Sequence, residues 1–310
     1  MGLRWFGWLI VFTVALVACG SPDESDWAEE ARYWHDSLRE AQLTRGGWGF
    51  AEFLAPDVVW DDSAIYAVTM EVQARSGTDA VLFASAVLGP ESLAIDPVFF
   101  IDTEGLIEMS YYDWRPLGFD IRPDLQEPAH VVSLFSPIGP DGVRRLINGR
   151  AGENWQDRPP GLPQADEAEA IAASWTDIWS GDIDQVDSLY RDNARVRDTI
   201  SGLNRTGHAE IAELAAEGGN WEITTVGQAA VRGLYPLARD TPSGVVLEEV
   251  LVVVAGRDGA GCEGELAVWL TLDEGLIVEE TRYWPIERAR RCFAKNELPT
   301  GWWVDHPITP

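Results

Sequence analysis

Apolar residues recur at helical spacing at two places in the chain. Trp27, Ala31, Trp34 and Leu38 fall on one face of a predicted helix, and Asp26 with Glu29 forms a capping box at its start. Ile171, Trp175 and Ile178 repeat the face, Asp166 with Glu169 repeats the box, and Gly181 closes the second helix. His35 sits beside the first face, one residue after Trp34. A second block follows each helix. Phe53-Leu54-Ala55-Pro56-Asp57-Val58-Val59-Trp60-Asp61-Asp62 lies over Leu189-Tyr190-Arg191-Asp192-Asn193-Ala194-Arg195-Val196-Arg197-Asp198 without a gap, a turn and then a strand that runs into an aspartate. With a period of two, Val58 and Trp60 share a face with Asp62, and Ala194 and Val196 share one with Asp198. A third block matches Gly77-Thr78-Asp79-Ala80-Val81 with Gly207-His208-Ala209-Glu210-Ile211 as a helix start. A fourth matches Glu104-Gly105-Leu106-Ile107 with Glu274-Gly275-Leu276-Ile277, each a hairpin turn entering a closing strand that ends in Trp114 or Trp284. Four blocks in the same order indicate an internal duplication.

The halves differ between the third block and the closing strand. The second half has three strand-like stretches there, 221–231, 245–255 and 262–272. The first has one, 93–102, and then a surplus apolar hairpin, 130–135 and 143–147, beyond its closing strand. Either the first half has lost strands or the surplus hairpin takes their place in altered order. Asp157-Arg158-Pro159-Pro160-Gly161-Leu162-Pro163 separates the halves, since three prolines forbid a continuing helix.

The 310 residues are enough for two cores. A formal charge of −28 argues against nucleic acid and against a polybasic grip on anionic lipid, both of which draw on excess positive charge. At the N-terminus Arg4 precedes an apolar run too short to span a bilayer comfortably, and Leu16-Val17-Ala18-Cys19 follows. This resembles the lipobox of bacterial lipoproteins. The resemblance implies cleavage before Cys19, its lipidation, export and attachment to a membrane of the cell envelope; an ordinary cleaved signal and an uncleaved anchor are the other readings. Export makes Cys262 and Cys292 a candidate disulfide, the alternative being two buried thiols. The bridge would close a loop of about 30 residues and contribute roughly 3 kcal/mol in the chain-entropy model. Intact mass under non-reducing, alkylating conditions should show neither thiol modified; two modified thiols would remove the bridge.

The Trp-bearing first helix, the Leu-Tyr-Arg-Asp-Asn-Ala-Arg-Val-Arg-Asp stretch, the Gly-His-Ala-Glu-Ile helix start and the closing Gly-Leu-Ile-Val-Glu-Glu-Thr-Arg-Tyr-Trp strand together resemble the nuclear transport factor 2-like superfamily, in its SnoaL-like polyketide-cyclase branch. The resemblance implies an α+β fold: two tandem cone-shaped domains, each with about three helices on a curved, mainly antiparallel sheet, the first atypical. The expected division is a signal peptide at 1–18, a tether at 19–25, domains at 26–156 and 164–290, a linker at 157–163 and a tail at 291–310.

The resemblance also implies a pocket acid in catalytic relatives. Asp198 is the candidate base, with Tyr283 or His208 assisting, and Trp175, Trp179, Tyr190, Glu279, Asp62 and Tyr111 are candidate pocket lining. Phase places Ile107, Met109 and Tyr111 inward, and with them Ile277, Glu279 and Tyr283. An epoxide-hydrolase type of site would want an acid and an arginine two apart on one strand face, and Arg195 and Arg197 lie on the face opposite Asp198. No histidine pair has metal spacing and no phosphate loop follows a strand, so neither metal nor cofactor is expected. The halves share no catalytic pair beyond the aspartate. The favoured reading is therefore an envelope lipoprotein that binds a small apolar ligand or a protein partner without catalysis. The alternatives are a cofactor-free isomerase or cyclase, and a structural assembly protein.

Overall fold

A computed structural model describes residues 27–62, 73–87, 94–102, 104–112, 129–139, 141–150, 162–198, 203–216, 223–225, 229–236, 243–253 and 262–285. Cys19 and Cys292 lie outside them, as do Trp114, the tether and the tail. The backbone of Cys262 is described, but not its side chain.

The first half runs α1 (Trp27–Arg45), α2 (Gly47–Ala51), β1 (Leu54–Asp62), β2 (Gln73–Ser76), α3 (Thr78–Val87), β3 (Ala94–Ile101), β4 (Leu106–Tyr112), β5 (Ala129–Phe135), β6 (Ile138–Gly139) and β7 (Gly142–Arg150). The second runs α4 (Ala165–Trp179), a 3-10 turn (Ile183–Gln185), α5 (Val186–Leu189), β8 (Tyr190–Asp198), β9 (Leu203–Thr206), α6 (His208–Ala216), β10 (Ile223–Thr225), β11 (Ala230–Pro236), β12 (Ser243–Val253), β13 (Cys262–Asp273) and β14 (Leu276–Pro285). The fold class is α+β, with helices on a mainly antiparallel sheet, as expected. Gln164 rather than Asp166 caps α4: its backbone N–H donates to Glu167 Oε2 at 2.6 Å, and its side chain receives the reciprocal bond. The helix ends at Gly181, whose φ of +112° suits glycine.

The strand register is alike in the two halves. In the first half β1 pairs antiparallel with β2 and parallel with β7, with Leu54 opposite Val143 and Val59 opposite Arg145. In the second, β8 pairs antiparallel with β9 and parallel with β14, with Tyr190 opposite Ile277 and Arg195 opposite Glu279. Leu54 is thus the counterpart of Tyr190, and Asp62 of Asp198, as the ungapped match predicts. The turn before the third helix is also repeated. Gly77 N–H donates to Val58 O at 2.9 Å and Gly207 N–H to Ala194 O at 2.8 Å. Both glycines have positive φ, and a Cβ on either would lie 3.0–3.1 Å from a carbonyl oxygen, that of Pro56 or Asp192.

The fourth block is a correction. The closing strand of the first half is β7, because β7 and not β4 pairs parallel with β1. The surplus hairpin supplies the inner strands, giving β2-β1-β7-β5-β4-β3 against β9-β8-β14-β13-β12-β11. The shared Glu-Gly-Leu-Ile marks two hairpins at different places in the repeat.

The halves are joined by two strand contacts. Leu234 of β11 pairs with Arg150 of β7, and Ile101 and Phe100 of β3 pair with Trp284 and Pro285 of β14. By register, Arg150 is the counterpart of Trp284. Strands β3-β4-β5-β7-β11-β12-β13-β14 therefore return to β3 as a closed ring. One apolar cluster draws from strands on both sides of this ring: Phe100, Ile107, Met109, Val132, Leu134 and Ile147 meet Tyr235, Ala267, Trp269 and Tyr283. Tyr235 and Trp269 stack with ring centroids 4.2 Å apart. The opposite faces of the strands pack under the helices, where Trp34, Leu38 and Trp60 of the first half and Trp175, Ile178 and Tyr190 of the second are buried.

Candidate functional site

In the second half the sheet face under α4 centres on Glu280, which has no exposed surface. Its Oε2 accepts from Tyr190 Oη at 2.5 Å and Trp175 Nε1 at 2.9 Å, and its Oε1 accepts from Arg282 Nε at 2.8 Å. Arg282, also buried, lays its guanidinium carbon 3.9 Å from the Trp179 ring centroid. Trp179 Nε1 donates to Tyr190 Oη at 3.2 Å. Asp198 is buried beside this set, and its Oδ2 accepts from Trp284 Nε1 at 3.0 Å. Burial first, and the neighbouring Glu280 carboxylate second, push the Tyr190 phenol well above its ordinary pKa.

Asp198, Trp175, Trp179 and Tyr190 therefore do come together, but around two residues the alternation misplaced. Registration slips between Ile277 and Glu279 of β14, so beyond that point Glu280, Arg282 and Trp284 occupy the helix-covered face. Glu279 and Tyr283 are corrections: neither lies with Asp198. Tyr283 belongs to the ring's apolar cluster, and Glu279 meets Arg197 Nε at 3.5 Å. The acid and arginine two apart on one strand face are present as Glu280 and Arg282. His208 is corrected too: its Nε2 lies 2.8 Å from Tyr190 O and its Nδ1 2.9 Å from Asp187 Oδ1, so it ties α6 to α5 and β8.

In the first half the corresponding chamber has different chemistry. Ile107 and Met109 of β4 face the ring interior, which corrects the expected phase. Leu106, Glu108 and Ser110 alternate with them, and Leu106 packs in the helix-covered core. Glu108 is completely buried, pairs with Arg39 of α1, and lies 3.4 Å from His35 Nε2. Arg39 Nη1 also donates to Gln42 Oε1 at 2.7 Å. Burial, and then the Arg39 charge, lower the His35 pKa to about 4, so its imidazole is neutral at pH 7. The backbone register carries Glu108 across to Ser133, Asn148 and Asp62. The side chains of Asp62 and Tyr111 lie outside the described residues. Sequence reasoning missed this cluster. The available signal was Glu108 and Ser110 alternating with large apolar residues along one strand.

A third polar group marks one of the two joins. Asp102 follows β3, and its Oδ1 accepts from the N–H groups of Glu104 at 2.7 Å and Gly105 at 2.6 Å, while Oδ2 is buried without a hydrogen-bond partner. Burial raises its pKa to about 7, against the pull of those two N–H groups. Arg197 Nη1 reaches Glu104 Oε2 across the join at 3.3 Å. Among the described residues, no cluster of three His, Cys, Asp or Glu side chains could hold a metal ion, and no helix is long and apolar enough to cross a membrane.

No protein-family model matches the chain, and no curated protein matches it. Solved structures that it is similar to have ketosteroid isomerase-like folds. One is a hypothetical protein of that fold from Catenulispora acidiphila, in complex with trimethylamine, at 18% identity, TM-score 0.30, covering 42% of this chain and 94% of that one. A putative ketosteroid isomerase from Kribbella flavida matches at 20% identity and TM-score 0.27, over 47% and 90% of the two chains. An epoxide hydrolase of M. tuberculosis, described as LEH-like, matches at 12% identity and TM-score 0.31, over 42% and 86%. Each such neighbour is matched over most of its length by less than half of this chain.

Proposed function

We propose that this chain is a lipid-anchored envelope protein that binds a small molecule without transforming it, with the ligand site in the first half and the second half as its structural partner. The carrying observation is the saturation of the second half's acids. Glu280 accepts three side-chain hydrogen bonds and Asp198 accepts the Trp284 indole, all from buried residues. A general base needs a lone pair within reach of a substrate proton, and these carboxylates present theirs to the protein. The first half holds buried polar groups that the protein leaves without hydrogen bonds, among them Gln42 Nε2 and Ser110 Oγ, and neither is an acid; in the second half the unpartnered atoms, such as Arg282 Nη2, are arginine nitrogens. The site's ligand would contact β4 and α1, so Trp34 is the natural reporter.

Trp fluorescence should respond to ligands when Asp198→Asn is present as it does in the wild type, with no turnover of ketosteroid or epoxide substrates by either. Turnover that Asp198→Asn abolishes would overturn the non-catalytic reading in favour of an acid–base enzyme built on Asp198, Glu280 and Arg282.

The Leu-Val-Ala-Cys motif supports the anchor. Cys19→Ala should move the protein from the membrane fraction to the soluble fraction, or leave the signal uncleaved. Absence of labelled fatty acid in the wild type would overturn the anchor.

A further inference from the structure

The two joins are alike in register and unlike in chemistry. Leu234 pairs with Arg150 where Ile101 pairs with Trp284, so the residues that follow, Tyr235 and Asp102, stand at the same place. Tyr235 is satisfied. Its Oη donates to Leu270 O at 2.8 Å and lies 3.0 Å from Thr271 Oγ1, and burial pushes its phenol above the ordinary pKa, so it carries no charge near neutrality. Asp102 is buried with Oδ2 unpartnered, its Oδ1 taking both turn N–H groups. Among the described residues, the charged and titratable groups facing it are Glu104 of its own turn, Arg197 of β8 and Tyr283 of β14. Arg197 is already shared: Nη1 lies 3.3 Å from Glu104 Oε2, and Nε lies 3.5 Å from Glu279 Oε1 of β14. An ionised Asp102 is therefore a third carboxylate on one cation, with a buried oxygen that no donor meets.

The strand contact beside it is short. It pairs Ile101 with Trp284 and Phe100 with Pro285, at the ends of both strands. Losing it leaves β3 paired with β4, and β14 with β13 and β8. Such an end can open at a lower free energy than the whole fold.

We infer that this join is a pH-operated gate: β3 and β14 stay paired while Asp102 is protonated and part when it ionises, opening the apolar interior of the ring beside Phe100 and Tyr283, while the β7–β11 join holds. In the open state the carboxyl meets water and titrates at about 3.9. In the closed state it titrates at about 7. The closed state holds the extra proton between those values, so the balance moves towards open by about tenfold for each pH unit from about 4 to about 7, and no further above.

The test is amide hydrogen exchange of the full chain between pH 5 and pH 8, with rates divided by the intrinsic rate at each pH. Peptides over 96–101 and 280–285 report on the gate, and peptides over 146–150 and 230–236 on the other join. Opening at the gate should rise at least tenfold between pH 5 and pH 7, level off by pH 8, and stay insensitive to low urea, since a local opening exposes little surface. The other join should exchange more slowly, with the urea dependence of whole-chain unfolding. Asp102→Asn keeps an oxygen for both N–H groups and should make the gate flat with pH. Arg197→Gln removes the opposing charge, so the rise should continue above pH 7. Exchange at one rate with one urea dependence at both joins would make the opening global and overturn the gate. A gate that does not respond to pH in the wild type, or a response that survives Asp102→Asn, would overturn Asp102 as its trigger.

Discussion

Glu280→Gln should destabilise the protein by about 3–5 kcal/mol, the range for removing one member of a buried ion pair. The carboxylate is the shared acceptor of Tyr190, Trp175 and Arg282, and its loss leaves the buried Arg282 guanidinium without its hydrogen-bonded carboxylate. The like register of the two halves supplies the control. By register, Leu146 and Asn148 stand in the first half where Glu280 and Arg282 stand in the second. Glu280→Leu with Arg282→Asn therefore installs a pair the same fold already accommodates. Urea unfolding of the double variant should recover roughly 1–2 kcal/mol of the single-variant loss, with incomplete recovery because leucine leaves Tyr190 and Trp175 no acceptor at position 280. A double variant less stable than Glu280→Gln would show that the pair is not coupled as its geometry implies.

Asp102→Asn should alter the pH dependence of stability more than any other single change at the join. The native carboxyl titrates at about 7 and the unfolded one at about 3.9, so between those values the native state holds the extra proton. Stability attributable to this group therefore falls as pH rises from about 4 to about 7 and stays low above. A rise of that size in a carboxyl pKa is worth roughly 4 kcal/mol. The groups facing Asp102 are Glu104, which adds to the rise, Arg197, which opposes it, and Tyr283, whose own phenol is pushed up by burial and by Asp102. Asparagine keeps an oxygen for the Glu104 and Gly105 N–H groups and does not ionise. The variant-minus-wild-type difference in unfolding free energy should grow in the variant's favour by a few kcal/mol between pH 4 and pH 8. A difference that does not change with pH would remove Asp102 as the titrating group.

Much of the fold is legible where one face of an element is apolar and the other is not. The α4 stripe of Ile171, Trp175 and Ile178 is buried as its spacing predicts, and Ala194, Val196 and Asp198 turn inward together. The reading fails where both faces of a strand are covered. On β4 the more apolar set, Ile107 and Met109, reads as the cone face, yet it packs inside the ring, and the mixed set with Glu108 lies under the helix. Alternation says which residues share a face but cannot say which of two buried faces it is. On β14 the alternation itself breaks, because the irregularity between Ile277 and Glu279 reverses parity, and no residue in Ile-Val-Glu marks it. The first-half polar chamber is hidden for a further reason. Its members come from α1 and β4, which lie far apart in the sequence, and only the fold brings His35 and Arg39 to Glu108.

The two joins, Leu234 with Arg150 and Ile101 with Trp284, are the same contact made twice with different side chains. Two identical separate chains meeting in this way would form a homodimer, bound to repeat every residue at both joins and dissociating on dilution. Joined in one chain, the two halves hold each other at an effective concentration that no dilution lowers. Each is also free to change alone. Arginine can stand at one join and tryptophan at the other. Covalent linkage removes the requirement that the two joins match.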